Sequence, residues 1–124
     1  MKYATEHTLA SGCISYTQSP VHTVEKYVQM CKELKNMGFD TICLKDMAGI
    51  GRPVSCGKIV AGIKAIKKDI VMQYHSHAGP GFNMASILEV AEAGCDYIDC
   101  GMAPPSWGTG HADIIAVQEM LKDA

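Results

Sequence analysis

No run of apolar residues in this chain approaches the roughly 20 needed to span a bilayer. The amino terminus, Met1-Lys2-Tyr3-Ala4-Thr5-Glu6-His7, lacks the apolar centre of a signal peptide. A cytoplasmic protein without direct membrane insertion is expected. Charge of one sign is also lacking: 11 Lys and Arg stand against 13 Asp and Glu, a net of −2. Such a balance offers nucleic acid no basic field and a lipid surface no polybasic patch. The six cysteines never form a Cys-x-x-Cys pair, which argues against a zinc knuckle or a redox motif. Cys43 and Cys100 lie within apolar, strand-like runs, where a reduced thiol serves as a small hydrophobe. The eight methionines read likewise as core filler. No low-complexity segment or linker interrupts the chain, so residues 1–124 are expected to form a single domain.

What the chain does have is alternation. At 48% hydrophobic and 19% charged it is an ordinary globular sequence, long enough for one core that buries about two-thirds of the unfolded surface. Strand-like runs fall at Cys13–Thr17, Thr41–Lys45, Ile70–His77 and Tyr97–Gly101. Helix-like stretches follow each of them, near Pro20–Met37, Val54–Lys67, Asn83–Ala93 and Ala112–Lys122. In the first helix Ser19 reads as the N-cap and Pro20 as the first helical residue. Val24, Tyr27, Val28, Cys31 and Leu34 give it an apolar stripe at steps of three and four. Gly38 and Gly94 stand where left-handed C-terminal caps are expected, and Asp69 supplies a polar break after the second helix. A weak internal repeat links Met37-Gly38-Phe39-Asp40-Thr41-Ile42-Cys43 with Ala93-Gly94-Cys95-Asp96-Tyr97-Ile98-Asp99-Cys100.

Strand–loop–helix units at this spacing imply right-handed crossovers and a parallel sheet. The expected class is α/β, with four βα units forming half of a (β/α)₈ barrel, a fold that needs about 250 residues when whole. Half a barrel leaves two strand edges unpaired and its inner side open to water. It can dock on a chain carrying the other half, pair with a second copy, or stand as a small open sheet.

Two groups of residues carry chemistry. Lys45-Asp46-Met47-Ala48-Gly49 closes the second strand and His75-Ser76-His77 closes the third. Residues two apart share one face of a strand, so His75 and His77 can point at one ion. An ammonium beside them is a poor ligand, but carbon dioxide converts a lysine to a carbamate with anionic oxygens. Asp46 is expected to face away from Lys45 and to order the following loop, while Asp99, in the fourth strand, is placed to face inward. Tyr16 and Thr17, ending the first strand, lie near the mouth or simply pack.

These residues resemble a known family. Gly12-Cys13-Ile14-Ser15-Tyr16-Thr17-Gln18-Ser19-Pro20-Val21-His22-Thr23, Leu44-Lys45-Asp46-Met47-Ala48-Gly49 and His75-Ser76-His77 look like the later half of the carboxyltransferase domain of biotin-dependent enzymes. The likeness runs from about Ala10 to Leu121, toward oxaloacetate decarboxylase α chains, pyruvate carboxylase B subunits and the transcarboxylase subunit. The resemblance implies a divalent metal (zinc, manganese or cobalt) held by carboxylated Lys45, His75 and His77, with Lys45 counted as catalytic. It implies pyruvate or oxaloacetate as substrate and biotin delivered by a carrier domain on another chain, since no lysine here is flanked by methionines in the biotin-attachment pattern. Ser106-Trp107-Gly108-Thr109-Gly110-His111 resembles the family's small-residue loop ending in Gly-Thr-Ser-His or Gly-Thr-Ser-Gln. Thr109 is therefore a candidate to touch substrate or the biotin ring; the alternative is a plain turn, with Trp107 covering the mouth. Ala78-Gly79-Pro80-Gly81 departs from the family, which carries a hydroxyl residue in that turn.

The family's metal also takes an aspartate from the first barrel strand, and its proton-shuttling threonine lies later in the domain. Neither has a counterpart here, and Asp99 is the available substitute for the former. Met1 followed at once by family-like sequence suggests a split or truncated gene. The alternative function is then a catalytically inactive half-barrel acting as a structural or interaction fragment. Decarboxylation and carboxylation run one half-reaction in opposite directions, and these residues do not separate them. In amidohydrolases a His-x-His precedes the carboxylated lysine, the reverse of the order here. A class I aldolase needs a Schiff-base lysine but no paired histidines. Metal barrels acting on acyl-CoA esters share the His-x-His without the Lys-Asp-Met-Ala-Gly run.

Overall fold

The computed structural model describes residues 2–39 and 41–124; the repeat's first aspartate, Asp40, lies outside them. A short helix α1 (Lys2–His7) leads into β1 (Ser11–Ser15), α2 (Val24–Asn36), β2 (Thr41–Asp46), α3 (Pro53–Ile66), β3 (Val71–Ser76), α4 (Asn83–Glu92), β4 (Tyr97–Ile98) and α5 (Ile114–Met120), ending in a 3₁₀ turn, Leu121–Asp123. The sheet order is β1-β2-β3-β4, parallel throughout. This is the expected run of four βα units, arranged as in part of a (β/α)₈ barrel.

The core lies on one side of the sheet only. Ile42 and Leu44 of β2 and Met72 and Tyr74 of β3 are essentially inaccessible. They pack against Tyr27 and Cys31 of α2, Ile59, Val60 and Ile63 of α3, and Ile87 and Val90 of α4. On the other face β1 presents Ser11, Cys13 and Ser15 to solvent, and Lys45, Gln73 and His75 are only half-buried. That face would line a closed barrel. Among the described residues β1 and β4 each have one sheet neighbour, so both edges are open as anticipated.

Strand β1 runs Ser11–Ser15, two residues ahead of the expected Cys13–Thr17, and three further boundaries differ from expectation for local reasons. Helix α2 begins at Val24 behind Thr23, whose side chain accepts from the Lys26 N–H at 3.3 Å. Ser19 and Pro20 belong instead to a turn closed by the His22 N–H on the Ser19 carbonyl at 3.1 Å. The Ser19 hydroxyl is taken up there by the His22 ring at 2.7 Å, and Pro20 holds the second turn position, which proline favours. Strand β4 stops at Ile98 rather than Gly101 because Gly101 finds its backbone partners in its own loop. It donates to Ala112 O and accepts from Ile114 N, each at 2.9 Å. Helix α5 therefore starts late, at Ile114, capped by Asp113 through the N–H groups of Ile115 and Ala116. The short α1 carried no apolar stripe to announce it; Tyr3 stacks on His7 with ring centroids 4.0 Å apart.

Other expectations hold. Gly38 and Gly94 end their helices at φ of 97° and 95°. All six cysteines are free thiols. Burial pushes Cys31, Cys43 and Cys56 up to about 12, far from the thiolate that redox or metal chemistry uses. Tyr16 is buried and stacks on Tyr27, and the Tyr27 hydroxyl exchanges hydrogen bonds with the Thr17 backbone, so this strand end packs. No described helix is long and apolar enough to cross a membrane.

Asp46 is the buried polar pin of the fold. It is 1% exposed and accepts from Ile50 N at 3.0 Å and Gly51 N at 2.6 Å, holding the β2–α3 loop. Ser86 of α4 donates to the Gly51 carbonyl at 2.6 Å, so the loop is held from both sides. Replacing Asp46 with alanine strands two N–H groups away from water and should cost about 3 kcal/mol, measured as a lowered urea midpoint with unchanged slope.

Candidate metal centre

Lys45 and His75 are register partners on adjacent strands. With side chains alternating along each strand, both occupy the face opposite Leu44, Asp46 and Tyr74. His77 lies just past β3, where its N–H continues the ladder onto the Asp46 carbonyl at 3.1 Å. The rings of His75 and His77 are 5.4 Å apart. The structure thus brings Lys45, His75 and His77 to one corner of the open face, at the carboxyl ends of the strands.

Close backbone packing sets this corner. Gly49 adopts φ +66°, and a Cβ there would fall 2.2 Å from the His77 carbonyl oxygen. The end of the Lys45 segment is thus pressed against the backbone of the second histidine, and only glycine fits.

A residue not singled out as a ligand in the sequence joins them. His111, from the loop before α5, sits with its ring 4.5 Å from that of His75 and 4.6 Å from that of His77. One ligand atom from each of the three lies within 4.8 Å of the others. Each ring is tied through Nδ1: His75 to Asp99 Oδ2 at 2.7 Å, His77 to Thr109 O at 2.7 Å and His111 to Ser76 O at 2.9 Å. A carbonyl or carboxylate can only accept, so Nδ1 carries the proton in each bond. In the neutral form of each ring Nε2 then keeps its lone pair, as a metal ligand requires.

Asp99 takes a supporting position rather than that of a substitute ligand. Burial pushes its carboxyl up, but the Gln73 amide and the His75 ring outweigh that and hold it below the usual carboxylate range. Gln73 Nε2 reaches both carboxylate oxygens, at 2.9 and 3.0 Å. The result is a carboxylate–imidazole pair aimed across the face. Thr109 is exposed and meets the site through its carbonyl, which accepts from His77. Trp107 is 72% exposed.

A protein-family profile described as HMGL-like matches residues 2–124 of this chain. The chain belongs to the HMGL-like family. It is 40% identical over 113 residues to the pyruvate carboxylase B subunit of Methanocaldococcus jannaschii, covering 90% of this chain and 19% of that protein. To the methylmalonyl-CoA carboxyltransferase 5S subunit of Propionibacterium freudenreichii it is 39% identical over 123 residues, 98% of this chain and 24% of that one. Among solved structures, the carboxyl transferase domain of Rhizobium etli pyruvate carboxylase, determined with pyruvate and biocytin, superposes with a TM-score of 0.88. The identity is 26%, over 96% of this chain and 21% of that one. This HMGL-like chain therefore spans about a fifth to a quarter of the length of these relatives, and its sheet is a part of their carboxyltransferase fold.

The tautomers offer a direct check. Long-range proton–nitrogen correlation spectra at pH 8 should show His75, His77 and His111 as Nδ1–H forms. Asp99→Leu should return His75 alone to the Nε2–H form that free imidazole prefers. A native His75 already in that form would contradict the arrangement.

Proposed function

We propose that this chain supplies the lysine–histidine side of a metal centre that moves a carboxyl group between carrier-borne biotin and pyruvate or oxaloacetate. The observation that carries this reading is the in-register placement of Lys45 beside His75, with His77 one step further on the same open face. The pyruvate carboxylase and carboxyltransferase relatives support it by likeness. Residues 1–124 act as a single unit of that fold, and the rest of the barrel, or a second copy, covers the open face.

The donor set suits a divalent ion: imidazole lone pairs, and a lysine that becomes anionic by carboxylation. The Lys45 amine lone pair attacks carbon dioxide and the nitrogen loses a proton to solvent, leaving a carbamate. Two neutral imidazoles alone hold a cation loosely; the carbamate adds the negative charge they lack. When bound, the ion would polarise the keto-acid carbonyl and offset charge growing on its oxygen. Around it, Asp99 fixes the His75 ring, and the Thr109 carbonyl fixes His77. The Ser106–His111 loop stands beside the site, where Thr109 is positioned to meet substrate or the biotin ring.

A second reading, an inactive structural fragment, draws on the open lumenal face and the two unpaired edges. The two readings part on metal. Elemental mass spectrometry of the purified chain should find near-stoichiometric zinc, manganese or cobalt, lost in Lys45→Ala and His75→Ala. Carbon-13 spectra after equilibration with labelled bicarbonate should show a carbamate signal that Lys45→Ala removes. Adding the missing barrel segment should then give biotin-dependent decarboxylation of oxaloacetate. A metal-free native chain that stays inactive in the completed barrel would sink the enzymatic reading and leave the structural one.

A further inference from the structure

We infer that Cys13 and Cys43 form a dithiol modification site, in which Cys13 is taken by a small-molecule disulfide and Cys43 resolves the adduct to an internal disulfide. The inference stands apart from the metal-centre reading and uses neither Lys45 nor the histidines.

The sheet register supplies the geometry. Cys13 of β1 and Cys43 of β2 are partners in the parallel pairing. Both side chains fall on the open face, because Gly12 and Ile14 in β1 and Ile42 and Leu44 in β2 take the other. Among the described residues no other two cysteines are paired across the sheet. Cys31 and Cys56 belong to the core on the helix side, whereas Cys43 is buried without joining that cluster. Its register neighbours are Cys13 on one strand and Gln73 on the other. Adjacent strands lie about 4.8 Å apart, inside the Cα separation of about 4.4 to 6.8 Å that a disulfide spans. The Cβ atoms must still approach to about 3.8 Å. Strand β1 stands at the edge of the sheet with β2 as its one neighbour, so it is free to lean inward. A bond closed under such strain is easily reduced again, as reversible disulfides are.

Exposure divides the roles. Cys13 is exposed and Cys43 is buried, so a reagent meets Cys13 first. The Cys13 thiolate attacks one sulfur of the reagent disulfide and expels the other as a thiolate, leaving a mixed disulfide. Cys43 then gives its proton to water, attacks the Cys13 sulfur and expels the second reagent thiolate. The two protein thiols are oxidised by two electrons, and the reagent disulfide is reduced to two thiols. Burial first, and then the charge and hydrogen bond of Cys13, push the Cys43 thiol up, which makes it a poor nucleophile toward anything arriving from solvent. Against Cys13 the attack is intramolecular, and fixed adjacency gives it an effective concentration far above that of any second reagent molecule.

The test incubates the full 124-residue chain with glutathione disulfide. Acid quenching, alkylation of the remaining thiols and peptide mass spectrometry then locate each product. A mixed disulfide at Cys13 is expected first, followed by an internal Cys13–Cys43 link. The other four cysteines should stay open to alkylation after unfolding, and dithiothreitol should restore both thiols. Cys43→Ala removes the resolving step, so the standing mixed disulfide at Cys13 should rise about tenfold or more. Cys13→Ser should leave Cys43 unreacted over the same interval. Circular dichroism checks the fold of both variants, and the peptide map of the native chain reads the link without either. Both thiols still free after equilibration, a link from Cys13 to a different cysteine, or a disulfide between two copies would overturn the inference. So would an internal link that forms only in urea.

Discussion

The site depends on one constraint, the in-register parallel pairing of β2 with β3. Six consecutive pairs run from Thr41 with Val71 to Asp46 with Ser76. Because side chains alternate, that register assigns every residue of both strands to a face. Leu44, Asp46, Tyr74 and Ser76 go to the helices; Lys45 and His75 go to the open side. A slip of one residue in β3 would place Tyr74 beside Lys45 and drive His75 into the apolar layer. Burial of Met72 and Tyr74 under α3 and α4 therefore fixes the placement of Lys45 and His75 indirectly, by making any other register costly.

The distribution of polarity puts the core on the helix side of the sheet. The sheet–helix layer alone holds the fully buried apolar side chains. The opposite face carries Ser11, Ser15, Lys45, Gln73, His75 and Asp99, groups that lose little by meeting water. Here the open face is polar, and the buried apolar contacts lie in the outer layer. The connection between β3 and β4 adds to it: Asp96 accepts from Met72 N at 2.6 Å and from Lys64 Nζ at 2.5 Å, joining α3, β3 and the approach to β4.

Much of this was legible in the residues. Apolar runs marked all four strands, with glycine helix ends before β2 and β4, and the spacing of His75 and His77 placed two imidazoles on one face without knowledge of the fold. Asp46 followed from strand alternation alone. The start of α2 was not legible, because a Ser-Pro pair caps a helix and opens a turn equally well. The contest was decided by His22, which takes the serine hydroxyl. His111 was harder still. It lies 34 residues beyond His77, in a loop with no periodicity, and reaches the site through the adjacency of two strand-end loops joined by the Ala78–Gly110, His77–Thr109 and His111–Ser76 hydrogen bonds. Asp99 was placed on the correct face, but its service to His75 depends on a hydrogen bond that alternation cannot specify.

The close approach at Gly49 has a consequence for how such a chain can change over time. With no room between its α-carbon and the His77 carbonyl, the lysine-bearing and histidine-bearing segments are in effect one mechanical part made of two stretches of sequence. Neither can drift alone. An insertion, a bulkier residue or an altered turn in one has to be matched in the other for this packing to survive. Variation should collect instead on the solvent side of α2, which presents exposed charge away from the site.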